Sequence, residues 1–155
     1  MAFAPSSPIT GGPQTGFTSP TYTIVSDTPP NAHSVQYAVT ALGGTQTGVT
    51  THTVSSPFTI TAERPAQFRQ LGSVNPVTGV ISNVPMNVSK IRTRKGVLPA
   101  ASQPHKTCII ETFIRVPAGA DTYDAANVLA AMSAHIGVLW AQSANTGQIP
   151  IVGTV

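Results

Sequence analysis

Four of the chain's eight lysine and arginine side chains fall between Lys90 and Lys95, in the stretch KIRTRKG. Cations at alternate positions of an extended backbone project from one face, so Lys90, Arg92 and Arg94 form a row over about 13 Å while Ile91 and Thr93 point the other way. Lys95 falls on the opposite side or at the strand's end. No acid stands next to the three cations in the sequence, so they repel one another unless a polyanion or an opposite charge lies across them. The bland alternative is a solvated strand with edge-protecting charges. Because charge is scarce elsewhere in the chain, nucleic-acid contact is the stronger reading.

Other chemistry finds little support. His33, His52, His105 and His135 and the five carboxylates are scattered, with no His-x-x-x-His, Cys-x-x-Cys or paired-carboxylate motif. A metal centre needs three or four convergent ligands, so none is expected. There is no G-x-S-x-G elbow, and GGTQTG lacks the lysine and following helix of a phosphate loop. His135 belongs on a helix, near an interface. The expectation is a protein with no enzymatic activity, no cofactor and no small-molecule substrate. The single cysteine, Cys108, cannot form an intrachain disulfide. Its apolar strand context suggests a buried thiol, with an intersubunit disulfide or a reactive thiol as the alternatives.

Composition narrows the class. Only 8% of the 155 residues are charged, against roughly a quarter in ordinary soluble domains. Such a surface suits a protein covered by copies of itself or by a partner, although a glycosylated secreted domain could share it. Residues 1–89 sum to zero charge, residues 90–116 carry six cations against Glu111, and Asp121 and Asp124 bring the total to +3. The positive field therefore belongs to one region, as a polyanion-binding face requires. The N-terminus has neither the basic nor the apolar part of a signal peptide. No stretch approaches the roughly 18 apolar residues of a membrane span. The expectation is a soluble intracellular protein without a membrane partner.

The elements that must position these residues are mostly strands. One domain, 1–155, is expected, with an extended or disordered arm over 1–19 and a hairpin and sheet over 20–116. Strands are expected at 21–27 and 34–41, joined as a hairpin, then a β-prone stretch at 49–56. In 57–63 Phe58, Ile60 and Ala62 point inward while Thr59, Thr61 and Glu63 face outward. A long connection follows from Arg64, since NPVTG is a turn signal, and then come strands 86–95 and 105–116. In the last, Ile110, Thr112, Ile114 and Val116 face one way and Ile109, Glu111, Phe113 and Arg115 the other. Beyond Pro117 the period changes to that of a helix over 121–145, capped by Asp121 or Thr122 and bent or broken at Gly137. Its apolar stripe runs through Val128, Leu129, Met132, Ile136, Leu139 and Trp140, and 146–155 remains as an apolar tail. If the helix covers the Ile110 set, Arg115 joins the basic surface. Phe113 then serves either as a stacking platform for a base or as a dimer-core aromatic. The class is α+β: an N-terminal hairpin and multi-stranded antiparallel sheet followed by a C-terminal helix. One helix covers only part of one sheet face, which suggests a dimer.

In this order and spacing the motifs ERP (63–65), NVSKIRTRKG, LPAA (98–101), ETFIRVP and ADTYDAANVLAAM resemble the coat proteins of single-stranded RNA bacteriophages, over roughly residues 20–145. The resemblance implies an intertwined homodimer whose two sheets join edge to edge into one continuous sheet. It also implies an icosahedral capsid around genomic RNA, assembled in the host bacterial cytoplasm, and translational repression through an RNA hairpin. The RNA-facing set it implies is Lys90, Arg92 and Arg94 on one strand, Thr59 and Thr61 on its neighbour, and Glu111, Phe113 and Arg115 on the last. Where some members carry a base-stacking tyrosine this chain has Ile109, and Phe113 lies two same-face steps along. The long 65–85 segment, the N-terminal arm and the tail after Ala144 depart from the pattern. A β-rich adhesion or surface module, free of nucleic acid, is the alternative from another class.

Overall fold

The computed structural model describes residues 2–154. Six antiparallel strands form one sheet in sequential order: β1 (Ile9–Thr10), β2 (Thr18–Asp27), β3 (Ser34–Thr45), β4 (Phe58–Glu63), β5 (Met86–Val97) and β6 (Lys106–Pro117). Three helices follow, α1 (Ala120–Tyr123), α2 (Ala125–Ala141) and α3 (Ser143–Val152). This is the α+β order expected from the alternation of 57–63, 86–95 and 105–116.

Several boundaries move. The N-terminal arm is extended and anchored rather than disordered: Ile9 and Thr10 pair with Tyr22 and Thr21, Ser7 Oγ accepts from the Ile24 N–H at 3.0 Å, and the Tyr37 hydroxyl donates to the Phe3 carbonyl. Strand β3 continues through Gly43 and Gly44, past the expected end at 41. Gly44 permits this, because it has φ +70° and a side chain there would strike the Thr18 and Ser19 carbonyls. Residues 49–56 form a loop instead of a strand, having no large apolar face to bury. The loop is held by the His52 N–H on the Val39 carbonyl (2.8 Å) and by the Thr53 hydroxyl, which accepts from Ser56.

The helical region also differs from the expected 121–145. Gly119, at φ +91°, stands at the N-cap of α1, and neither Asp121 nor Thr122 caps it. The chain breaks at Asp124 and Gln142, while Gly137 lies inside an uninterrupted α2. The expected tail is largely helix, since α3 runs to Val152 with Pro150 in its last turn. What holds it is a close approach of the chain's two ends. Gln14 Nε2 donates to the Ser143 carbonyl at 2.9 Å and to its hydroxyl at 3.0 Å, and Gly147 leaves room for Gln14 where a Cβ would collide with it.

Packing within one chain is thin. Among the described residues the buried hydrophobics are Ile24, Ala38, Val39 and Ala118, and the helices bury none. One sheet face is apolar, with an open groove lined by Tyr22, Phe58, Ile60, Thr93 and Ile110 among others. The expected cover of the Ile110 set by the helix is absent: Ile110 is 65% exposed and Trp140 55%. The turn at Pro117–Gly119 leaves α2 standing off β6, with a gap between Thr112–Pro117 and the Val128–Met132 side of the helix. Cys108, expected to be buried, is exposed on β6.

Candidate nucleic-acid interface

Strand register decides what lies beside each cation. On the sheet face opposite the groove, Lys90 of β5 stands between Glu63 of β4 and Phe113 of β6, Arg92 between Thr61 and Glu111, and Arg94 between Thr59 and Ile109. Every residue in the expected set from β4, β5 and β6 therefore shares this face, with Arg115 across from Val88 at its end.

The row is not the bare line of repelling cations that the sequence suggests. Lys90 Nζ lies 3.1 Å from Glu63 Oε2, and Arg92 Nε donates to Glu111 Oε1. These four side chains are a quarter to a third exposed, so their pairs are neither fully screened nor fully desolvated. Arg94 has no ion pair among the described residues and donates through Nε to Thr59 Oγ1 at 3.2 Å. Lys95 is on the groove face, 5.1 Å from the Phe58 ring centroid and bonded to Thr50 Oγ1, and burial lowers its pKa.

The two threonines expected to present small polar contacts are covered instead. Thr59 is 0% and Thr61 5% exposed, with Arg94 of β5 bonded to the first and Gln36 of β3 to the second. The Thr61 hydroxyl donates to Gln36 Oε1 at 2.9 Å, and Gln36 Nε2 in turn donates to Asp27 Oδ2 at 2.7 Å. That chain of bonds holds the Asp27 carboxyl below its ordinary range: the Gln36 amide is the main cause and the Thr28 N–H the next, with the charges of His52 and Arg94 helping. Phe113 is half exposed, with the Arg115 guanidinium 5.7 Å from its ring centroid, so one flank of the expected stacking platform is occupied by the protein's own cation.

Sequence reasoning missed Glu63 as the partner of Lys90, and missed Asp27 and Gln36. The available signal was Glu63's position on the same alternating face as Thr59 and Thr61. Among the described residues no group of three or more His, Cys, Asp or Glu side chains could hold a metal ion, and no helix is long and apolar enough to cross a membrane.

The sheet thus presents a face carrying the cations and carboxylates on one side and an apolar, grooved face on the other. No family model and no curated protein matches the sequence. Among solved structures, the virus-like particle of bacteriophage ESE020 matches with a TM-score of 0.96 and 56% identity, over 99% of this chain and 100% of that one. A looser match, the virus-like particle of Beihai levi-like virus 32, has a TM-score of 0.49 and 19% identity, over 86% and 88% of the two chains. The protein is a capsid protein, a structural component of a virus particle. The chain belongs to the levivirus-like coat proteins of bacteriophages.

Proposed function

We propose that this chain pairs with a second copy along β6, that the dimers assemble into an icosahedral shell, and that the shell packages single-stranded RNA on the face carrying Lys90, Arg92, Arg94 and Arg115. In this reading the protein's place is the virion, its assembly takes place in the host bacterial cytoplasm, and its partners are itself and the RNA. The same face would serve the hairpin-dependent translational repression that the family resemblance implies. The observation that carries RNA packaging is the co-facial row of Lys90, Arg92, Arg94 and Arg115 in a chain of which only 8% is charged.

Surface area supports the association. A folded monomer of 16.0 kDa exposes about 7,400 Å², and this chain exposes 10607 Å². The excess, roughly 3,200 Å² per chain, is on the scale of obligate interfaces. Strand β6 adds a twelve-residue free edge with Ile109 and Phe113 half exposed beside it, which invites pairing with another strand.

The test is expression followed by electron microscopy and the A260/A280 ratio of the purified material. Uniform RNA-filled particles are expected, and the Lys90→Ala/Arg92→Ala/Arg94→Ala variant should still associate but hold less RNA. A stable monomer would overturn the shell reading, and unchanged RNA content in the triple variant would move RNA off this face.

A further inference from the structure

We propose that Glu63 and Glu111 are built-in competitors of RNA phosphate, holding Lys90 and Arg92 out of the electrostatic contact and leaving Arg94 and Arg115 as the face's free cations. The proposal rests on the RNA reading of this face and adds what limits its affinity.

Three of the chain's five carboxylates stand on the one surface where a polyanion binder gains nothing from negative charge: Asp27 is held by Gln36 and Thr28 at the β2 end, and Glu63 and Glu111 lie among the cations. Each glutamate is directly opposite a cation in the register and bonded to it, Glu63 to Lys90 and Glu111 to Arg92. A threonine or glutamine at either place would still offer a hydrogen-bond acceptor without cancelling the charge. Arg94 is treated differently: its across-strand neighbours are Thr59 and Ile109, and although Asp27 feels its charge, no carboxylate among the described residues is bonded to it. Phosphate reaching Lys90 or Arg92 must displace a carboxylate already in place, whereas phosphate reaching Arg94 displaces only a hydroxyl. The face thereby grips RNA more weakly, and with less dependence on salt, than its count of basic residues suggests.

The salt dependence of binding separates this role from a merely structural one, because easing repulsion within the sheet changes stability but not the number of phosphates neutralised. Full-length protein, dissociated to soluble subunits and freed of nucleic acid, is titrated with a fluorescent oligouridylate across a salt series. The Glu63→Gln/Glu111→Gln variant should bind more tightly at low salt, by roughly two- to fivefold per carboxylate removed. Its log–log salt slope should steepen by about 0.7 for each cation released to phosphate. An Asp121→Asn control, off this face, should change neither. Should a glutamine variant fail to fold, Glu63→Thr and Glu111→Thr keep β-prone residues in place and read the same slope. An unchanged slope, with the triple alanine variant still losing affinity, overturns the competition while leaving RNA on this face. If the triple variant also binds like the natural chain, RNA binding on this face falls and the competition with it.

Discussion

Asp27 shows how much of this surface is settled by single side chains. Its carboxylate accepts from the Gln36 amide at 2.7 Å and from the Thr28 N–H at 2.8 Å, which holds its folded-state pKa below the unfolded value. A depressed carboxyl contributes stability that is present above the unfolded pKa and is lost as pH falls through the folded one. Asp27→Asn should therefore melt below the natural protein at neutral pH. The gap should narrow as pH drops through the carboxylate range and vanish beneath it, as followed by circular dichroism. At this scale the sequence was only half legible. Alternation identified which side of β4 and β5 carries Thr59, Thr61, Lys90, Arg92 and Arg94. Alternation carries no register, however, and register alone sets Glu63 against Lys90 and Glu111 against Arg92. The burial of Thr59 and Thr61 was likewise invisible, since it comes from neighbouring strands laying Arg94 and Gln36 beside them.

Among the elements, the last three strands and the helix beyond Pro117 were legible, whereas the loop at 49–56, the helix breaks and α3 were not. The alternating runs in 57–63, 86–95 and 105–116 have one stable way to bury an apolar face, and they became β4, β5 and β6. Helix α3 contains Gly147 and Pro150, which intrinsic propensity counts heavily against, and the contact from Gln14 lies 129 residues away. Two glycines test this account in opposite directions. A Cβ at Gly137 meets nothing within 4 Å, so Gly137→Ala should stabilise α2 by about 0.5–1 kcal/mol. At Gly147 a Cβ displaces Gln14 and its bonds to Ser143, and Gly147→Ala should cost roughly 1 kcal/mol after any helical gain. Thermal melting of the two variants should move up and down respectively.

The whole molecule is an unfinished packing problem when taken one chain at a time. Ile110 on the sheet and Ile136 and Trp140 on α2 are all more than half exposed, so two apolar surfaces of the same chain fail to meet. A second copy that brings its own helix and edge strand would supply the missing layer to both. Ile110→Lys places a charge where that layer closes, and it should leave subunits that no longer associate, measured by sedimentation. Particles of normal size from this variant would show that the groove stays open in the assembly. That one chain leaves apolar surface uncovered was legible from one helix being too little to cover a sheet. Which surfaces stay open was not, because it depends on the direction the chain takes after Gly119.

The contact between Gln14 and Ser143 also ties an earlier-made part of the chain to a much later-made one. At about 5–20 residues per second of synthesis, the 129 positions between them correspond to about 6–26 s. Gln14 is thus made well before its partner, and a product cut short before Ser143 keeps the arm's contacts to β2 and β3 but never makes this one. Closure of this tie therefore reports synthesis that has passed Ser143.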